Sequence, residues 1–122
     1  MIPVYPHDVY ARSGIDIQID LKSFTKDKIY LKKLKEGLER SFQKFQPDII
    51  FFNGGSDILK NDPLGFLSIS SDGLIKRDEL VFEFSKKFNV PISYVLSGGY
   101  QKTNAQIIFN SILNLKEKFK LF

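Results

Sequence analysis

The sequence predicts an α/β domain with a mostly parallel sheet and helices packed against it, and three observations predict it. Two short apolar runs, residues 48–53 and 91–96, have the length and composition of strands covered on both faces. Each leads directly into a loop with a glycine pair, Gly54-Gly55 and Gly98-Gly99. Stretches with apolar steps of three and four alternate with the strand runs, so the order reads β-α-β-α-β-α.

Residues 1–14 have no period and carry Pro3, Pro6 and Gly14, so they read as a loop. Ile15-Asp16-Ile17-Gln18-Ile19-Asp20-Leu21 alternates strictly, as a strand with one wet face does near a sheet edge. Thr25 is positioned to cap a helix whose stripe is Leu31, Leu34, Leu38, Phe42 and Phe45, with Pro47 as its stop. After the first covered strand, residues 54–70 form a long connection rich in turn residues, a type of loop that is often functional. Ser70 or Ser71 then caps a helix running to about Phe88, with Leu74, Val81, Phe84 and Phe88 inward. After the second strand and its glycine loop, residues 103–118 form a last helix with Ala105, Ile108, Ile112, Leu115 and Phe119 on one stripe.

At 122 residues, 43% hydrophobic and 26% charged, the chain is the size and composition of one globular unit. The net charge of +4 comes from lysines spread over helical faces, with no arginine-rich or RNP-like motif, so direct nucleic-acid binding is not expected. The absence of cysteine excludes disulfide scaffolds and thiolate metal sites. No signal peptide and no apolar run of membrane-spanning length is present, so no membrane partner and an intracellular location are expected.

Ligands of parallel sheets bind outside the carboxyl ends of the strands. Two chemically useful residues fall there, Asp57 behind the first glycine pair and Tyr100 behind the second. A carboxylate suits zinc, magnesium or iron as one of several ligands, though spacing alone favours a turn-forming aspartate. A phenol donates to developing negative charge, and equally sits at a core edge with its hydroxyl wet. Their shared placement at strand ends favours a site. Gly98-Gly99 before a helix also suits an anion, but no complete phosphate-binding motif accompanies it. His7, the only histidine, reads as a loop residue.

Longer strings carry a resemblance. They are Tyr5-Pro6-His7-Asp8, Phe45-Gln46-Pro47-Asp48-Ile49-Ile50, Asn53-Gly54-Gly55-Ser56-Asp57-Ile58-Leu59, Asp62-Pro63-Leu64-Gly65 and Leu67-Ser68-Ile69-Ser70. Ile75-Lys76-Arg77-Asp78-Glu79-Leu80-Val81-Phe82, Ser97-Gly98-Gly99-Tyr100-Gln101-Lys102 and Ser111-Ile112-Leu113-Asn114-Leu115 continue them in order. With these strings the chain resembles the C-terminal part of the zinc-dependent histone deacetylases, most closely their class IV branch. The resemblance implies a three-layer α/β/α fold of the arginase-deacetylase type, with residues 1–122 as the C-terminal portion of the catalytic domain. It implies hydrolysis of acetyl- or longer acyl-lysine in histone tails or other proteins, zinc as cofactor, membership of protein complexes, and a nuclear or cytoplasmic location. Asp57 then matches a zinc-binding aspartate and Tyr100 the tyrosine that hydrogen-bonds the acyl oxygen and the oxyanion. Gly98 and Gly99 match the glycine loop beside the acyl-lysine tunnel, and Leu64 an apolar residue of its wall.

The sequence also departs from that family. An Asp-x-His zinc motif and a His-His pair are expected, and neither occurs. His7 stands where the family often has glycine, so it replaces neither. One zinc ligand of three is present, and the expectation is a fragment inactive alone, with zinc and turnover needing the residues that are missing. The alternative is a non-catalytic interaction module derived from a deacetylase, working through an open sheet edge.

Overall fold

The computed structural model describes residues 8–121, and the elements follow in the order α1 (Val9–Ser13), α2 (Asp27–Lys44), β1 (Ile50–Asn53), α3 (Ser71–Phe88), β2 (Ile92–Val95) and α4 (Asn104–Phe119). The two strands pair in parallel, with Ile50 opposite Ile92 and Phe52 opposite Tyr94, and α3 is their crossover. Parallel neighbours need such a crossover, and the 3.6-residue apolar stripe of α3 supplies its buried face. Helix α3 packs against both α2 and α4. Its Leu74, Val81, Phe82 and Phe84 join Leu59, Ile69, Val90 and Leu115 in the core. Phe42 of α2 stacks on Phe88 at 4.4 Å between centroids, while Phe52 stacks on Tyr94 at 4.9 Å across the strands.

Helix α3 starts at the cap expected of it. The Ser70 hydroxyl accepts from the Gly73 N–H at 2.9 Å and donates to Asp27 Oδ2 at 2.5 Å, joining the starts of α2 and α3. Its end is Asn89 in the left-handed conformation, φ 54°, a position asparagine tolerates better than most residues.

Five expectations ahead of the last helix need correction. Residues 9–13 form a short helix, because the Asp8 side chain accepts from the Ala11 N–H and caps it. Residues 15–21 are not a strand; Ile17, Ile19 and Leu21 do turn inward as the alternation predicts, but the segment finds no ladder partner among the described residues. It lies instead along α2 and, with Tyr30, Leu34, Ile58 and Leu67, lines a half-open apolar pocket of about 370 Å³. Thr25 does not cap α2: Lys26 holds the cap position, and the Thr25 hydroxyl donates to the Lys22 carbonyl. Phe45 falls past the end of α2 and is exposed. The fifth concerns burial: the sheet is covered on one face only, and Phe51 of β1 and Val95 of β2 are 73% and 44% exposed, because nothing among the described residues packs over them.

Helix α4 differs in which residues it buries. Asn104, Ser111 and Leu115 are buried, whereas Ala105 and Ile112 of the expected stripe point outward. Of the two buried polar positions, Asn104 bonds Ser56, and Ser111 meets a network centred on α3. Arg77 and Asp78 are 3% and 0% exposed and pair at 2.8 Å. Asp78 Oδ2 accepts from the Ser111 hydroxyl at 2.6 Å and from the Tyr94 hydroxyl at 3.1 Å. Burial first, and then the Asp78 carboxylate, pushes the Tyr94 phenol up to about 12. A group whose folded pKa is raised stabilises the fold below its unfolded pKa and loses that contribution as pH rises. Stability should therefore fall between pH 10 and 12, and Tyr94→Phe should flatten that fall when thermal midpoints are compared across the range. Parallel curves for the two proteins would refute the assignment. Burial raises Tyr30 as well, so some slope will remain.

Candidate active site

The two glycine loops lie side by side because the parallel strands that deliver them are neighbours. The Gly54 N–H donates to the Val95 carbonyl at 2.9 Å, extending the ladder by one step. Beyond it the Ser56 N–H donates to the Gly98 carbonyl at 2.6 Å. Ser56 Oγ in turn accepts from the Asn104 side-chain amide at 2.9 Å, which ties both loops to the start of α4.

Asp57 occupies the seam between them. A Cβ added at Gly98 would overlap Asp57 Oδ2, and one added at Gly55 would stand 3.0 Å from Asp57 Oδ1. Glycine at both positions is what lets the carboxylate lie against the second loop. Gly99 has φ +141°, a conformation side chains rarely adopt, and a Cβ there would overlap Ser56 Oγ.

Tyr100 and Leu64 are brought together through their backbones. Both are exposed, at 57% and 64%. The Tyr100 N–H donates to Asp62 Oδ2 at 2.9 Å, and the Leu64 N–H donates to Asp62 Oδ1 at 3.0 Å. Gln101, next to Tyr100, donates from its side-chain amide to the Lys60 carbonyl at 2.8 Å. The tip of the first loop is therefore laced to the second. His7 lies outside the described residues.

Behind the first loop stands Arg77, which spacing did not single out. Its guanidinium donates to the Gly55 carbonyl at 2.5 Å and the Gly54 carbonyl at 3.0 Å, and lies 5.4 Å from the centre of the Phe52 ring. Burial, the largest influence, would lower its pKa; the adjacent Asp78 carboxylate together with the Tyr30 and Tyr94 phenols outweighs this and raises it, so the guanidinium stays charged. Asp62 and Asn104 were likewise not singled out. The one visible signal was Arg77-Asp78 falling three and four residues after Leu74, on the inward side of an apolar stripe.

Among the described residues, no three histidine, aspartate or glutamate side chains converge in a way that could hold a metal ion. Asp57 supplies one carboxylate, and the sequence contains no Asp-x-His from which a second and third ligand would come. A three-ligand zinc centre does not fit the described residues by themselves.

Comparison with known proteins gives a consistent result. The family model described as "Histone deacetylase domain" matches residues 4–115. Histone deacetylase 2 of Arabidopsis thaliana is 45% identical over 115 residues, which cover 94% of this chain and 30% of that protein. Histone deacetylase clr6 of Schizosaccharomyces pombe is 30% identical over 100 residues, covering 82% of this chain and 21% of clr6. Human Histone deacetylase 1 is 31% identical over 93 residues, covering 76% of this chain and 16% of the human protein. The chain thus spans less than a third of the length of these three relatives.

Proposed function

The chain belongs to the histone deacetylase family, and on that premise we propose that it supplies the Asp57 and Tyr100 loops of a class IV-like lysine deacylase site, as the C-terminal portion of a catalytic domain. The observation that carries this reading is the seam itself. The Asp57 carboxylate is seated against Gly98, and the amides of Tyr100 and Leu64 share one buried carboxylate. In this proposal Asp57 offers an oxygen ligand to zinc. The Tyr100 hydroxyl donates to the acyl oxygen, where a preorganised donor is most effective. Gly98, Gly99 and Leu64 border the path of the acyl-lysine, which is acetylated or longer-acylated and belongs to a histone tail or another protein. The site is nuclear or cytoplasmic in this reading, and protein complexes are its natural setting.

Because one carboxylate does not make the metal centre, no catalytic step is assigned to zinc on this chain, and the chain alone is expected to be inactive. The test has two arms. The purified chain is assayed for bound zinc and acyl-lysine hydrolysis, and stoichiometric zinc with turnover would overturn the claim that more ligands are needed. Residues 8–121 are also grafted into the matching segment of the Arabidopsis relative. The graft should hydrolyse an acyl-lysine peptide and lose at least a hundredfold on Asp57→Ala. A folded graft without turnover, or one indifferent to Asp57→Ala, sinks the deacylase reading.

One observation favours the non-catalytic reading. The outer face of the sheet exposes Phe51, Val95 and the neighbouring Ile49 and Leu96, an apolar surface suited to a protein partner. Under that reading the graft is inactive and the chain associates through this face, which Phe51→Lys would abolish.

A further inference from the structure

Asp62 makes contacts that exceed what a turn requires. It is 7% exposed and has no ion-pair partner among the described residues. Its two oxygens instead accept from three backbone N–H groups: Leu64 at 3.0 Å and Gly65 at 2.9 Å on Oδ1, and Tyr100 at 2.9 Å on Oδ2. The first two bonds are local and belong to the ordinary habit of aspartate in turns. The third crosses 38 positions of sequence to the residue that bears the phenol. Hydrogen bonds to an ionised acceptor are shorter and roughly twice as strong as neutral ones, so this bond orders an otherwise exposed loop.

The carboxylate is itself held on a rigid base. The Asp62 N–H donates to the Leu59 carbonyl at 3.2 Å, and Leu59 and Ile69, both buried, form an isolated parallel bridge. The turn it closes also reaches Asp57. Gly65 packs so tightly beneath Asp57 that a Cβ there would overlap the Asp57 carbonyl oxygen. A single side chain therefore fixes the backbone of Leu64, the approach of Gly65 to Asp57, and the backbone of Tyr100.

We infer that Asp62 is the positioning residue of the site, setting where the Tyr100 phenol stands relative to Asp57 by binding the Tyr100 amide. It acts through Tyr100 and touches no reacting atom. The inference rests on the role proposed above for Tyr100, and its first test does not.

In the wild-type chain the Tyr100 amide should exchange its hydrogen at least tenfold more slowly than the neighbouring Ser97 amide, although the Tyr100 side chain is exposed. Asp62→Asn keeps the shape but places an amide N–H₂ where one acceptor oxygen was. Exchange at Tyr100 should then quicken at least tenfold while amides inside α3 keep their rates. An unprotected Tyr100 amide, or one indifferent to Asp62→Asn, overturns the inference whether or not the family chemistry holds. The second test uses the turnover-competent graft. Asp62→Asn should lower kcat at least tenfold with KM within twofold, and should lower it no further when Tyr100→Phe is already present. A full additional loss in the Tyr100→Phe background would show that Asp62 acts by another route. Absence of turnover in the graft condemns the deacylase reading and leaves the exchange result to decide Asp62.

Discussion

Asp78→Ala is expected to cost about 3–5 kcal/mol of folding stability, the usual penalty for stranding one member of a buried ion pair. Arg77 would keep its bonds to the Gly54 and Gly55 carbonyls but lose the only counter-charge within its pocket among the described residues. The Tyr94 and Ser111 hydroxyls would lose their shared acceptor in the same step. Against a typical total of about 5–15 kcal/mol, that loss brings the chain near its unfolding threshold. Two comparisons separate charge from shape. Asp78→Asn keeps the volume and one acceptor, and both hydroxyls can turn to accept, so it should cost less than alanine. The double variant Arg77→Met, Asp78→Leu removes the stranded charge but leaves the Gly54 and Gly55 carbonyls and both hydroxyls without their partners, so it should recover only part of the loss. Removing Lys118, whose bonds to Glu79 and Glu83 lie on the surface, should cost about 0–1 kcal/mol. Urea unfolding measures all four. A loss below about 1 kcal/mol for Asp78→Ala would mean that water or rearrangement neutralises Arg77, and the bracing of the first loop would need another explanation.

That pair also shows where sequence reading stops. The stripe Leu74, Val81, Phe84, Phe88 was legible because apolar spacing along a helix is a local property. The inward turn at Arg77 and Asp78 was not, because what makes a buried charge tolerable is its partners. These lie 22 and 23 positions away at Gly55 and Gly54, and 16 and 33 positions away at Tyr94 and Ser111. In helix α4 the apolar stripe marks Leu115 correctly and misses Asn104 and Ser111 for the same reason: they turn inward to serve remote hydroxyl and carboxylate groups. The 15–21 segment kept its alternation and lost only its ladder, since period two reports which side chains turn inward, not whether a neighbouring strand is present to bond. At the site, Asp57 and Tyr100 were legible as strand-end residues. Asp62 was not, because its work is done on backbone N–H groups, which leave no mark in a side-chain pattern.

Tyr100→Phe is expected to slow the graft's acyl-lysine turnover by 10²–10³-fold, corresponding to about 3 kcal/mol for the loss of one oxyanion donor. It should leave folding almost untouched. The residue is 57% exposed, and the Tyr100 hydroxyl makes no hydrogen bond among the described residues. Surface substitutions of that type usually stay within about 0.5 kcal/mol. The backbone bond to Asp62 is indifferent to the side chain, so the phenylalanine ring should stand where the tyrosine ring stood. A donor engaged only as charge develops lowers kcat and kcat/KM together when removed, whereas a group that merely holds substrate raises KM and spares kcat. The two roles open to this tyrosine therefore give opposite results. An oxyanion donor loses kcat with an unchanged thermal midpoint. A core-edge tyrosine with a wet hydroxyl keeps turnover within about threefold, since the phenylalanine ring still fills its place. Measuring kcat, KM and the midpoint on one pair of proteins decides between them, and the second result would remove Tyr100 from the chemistry while leaving Asp62 as the tie between the loops.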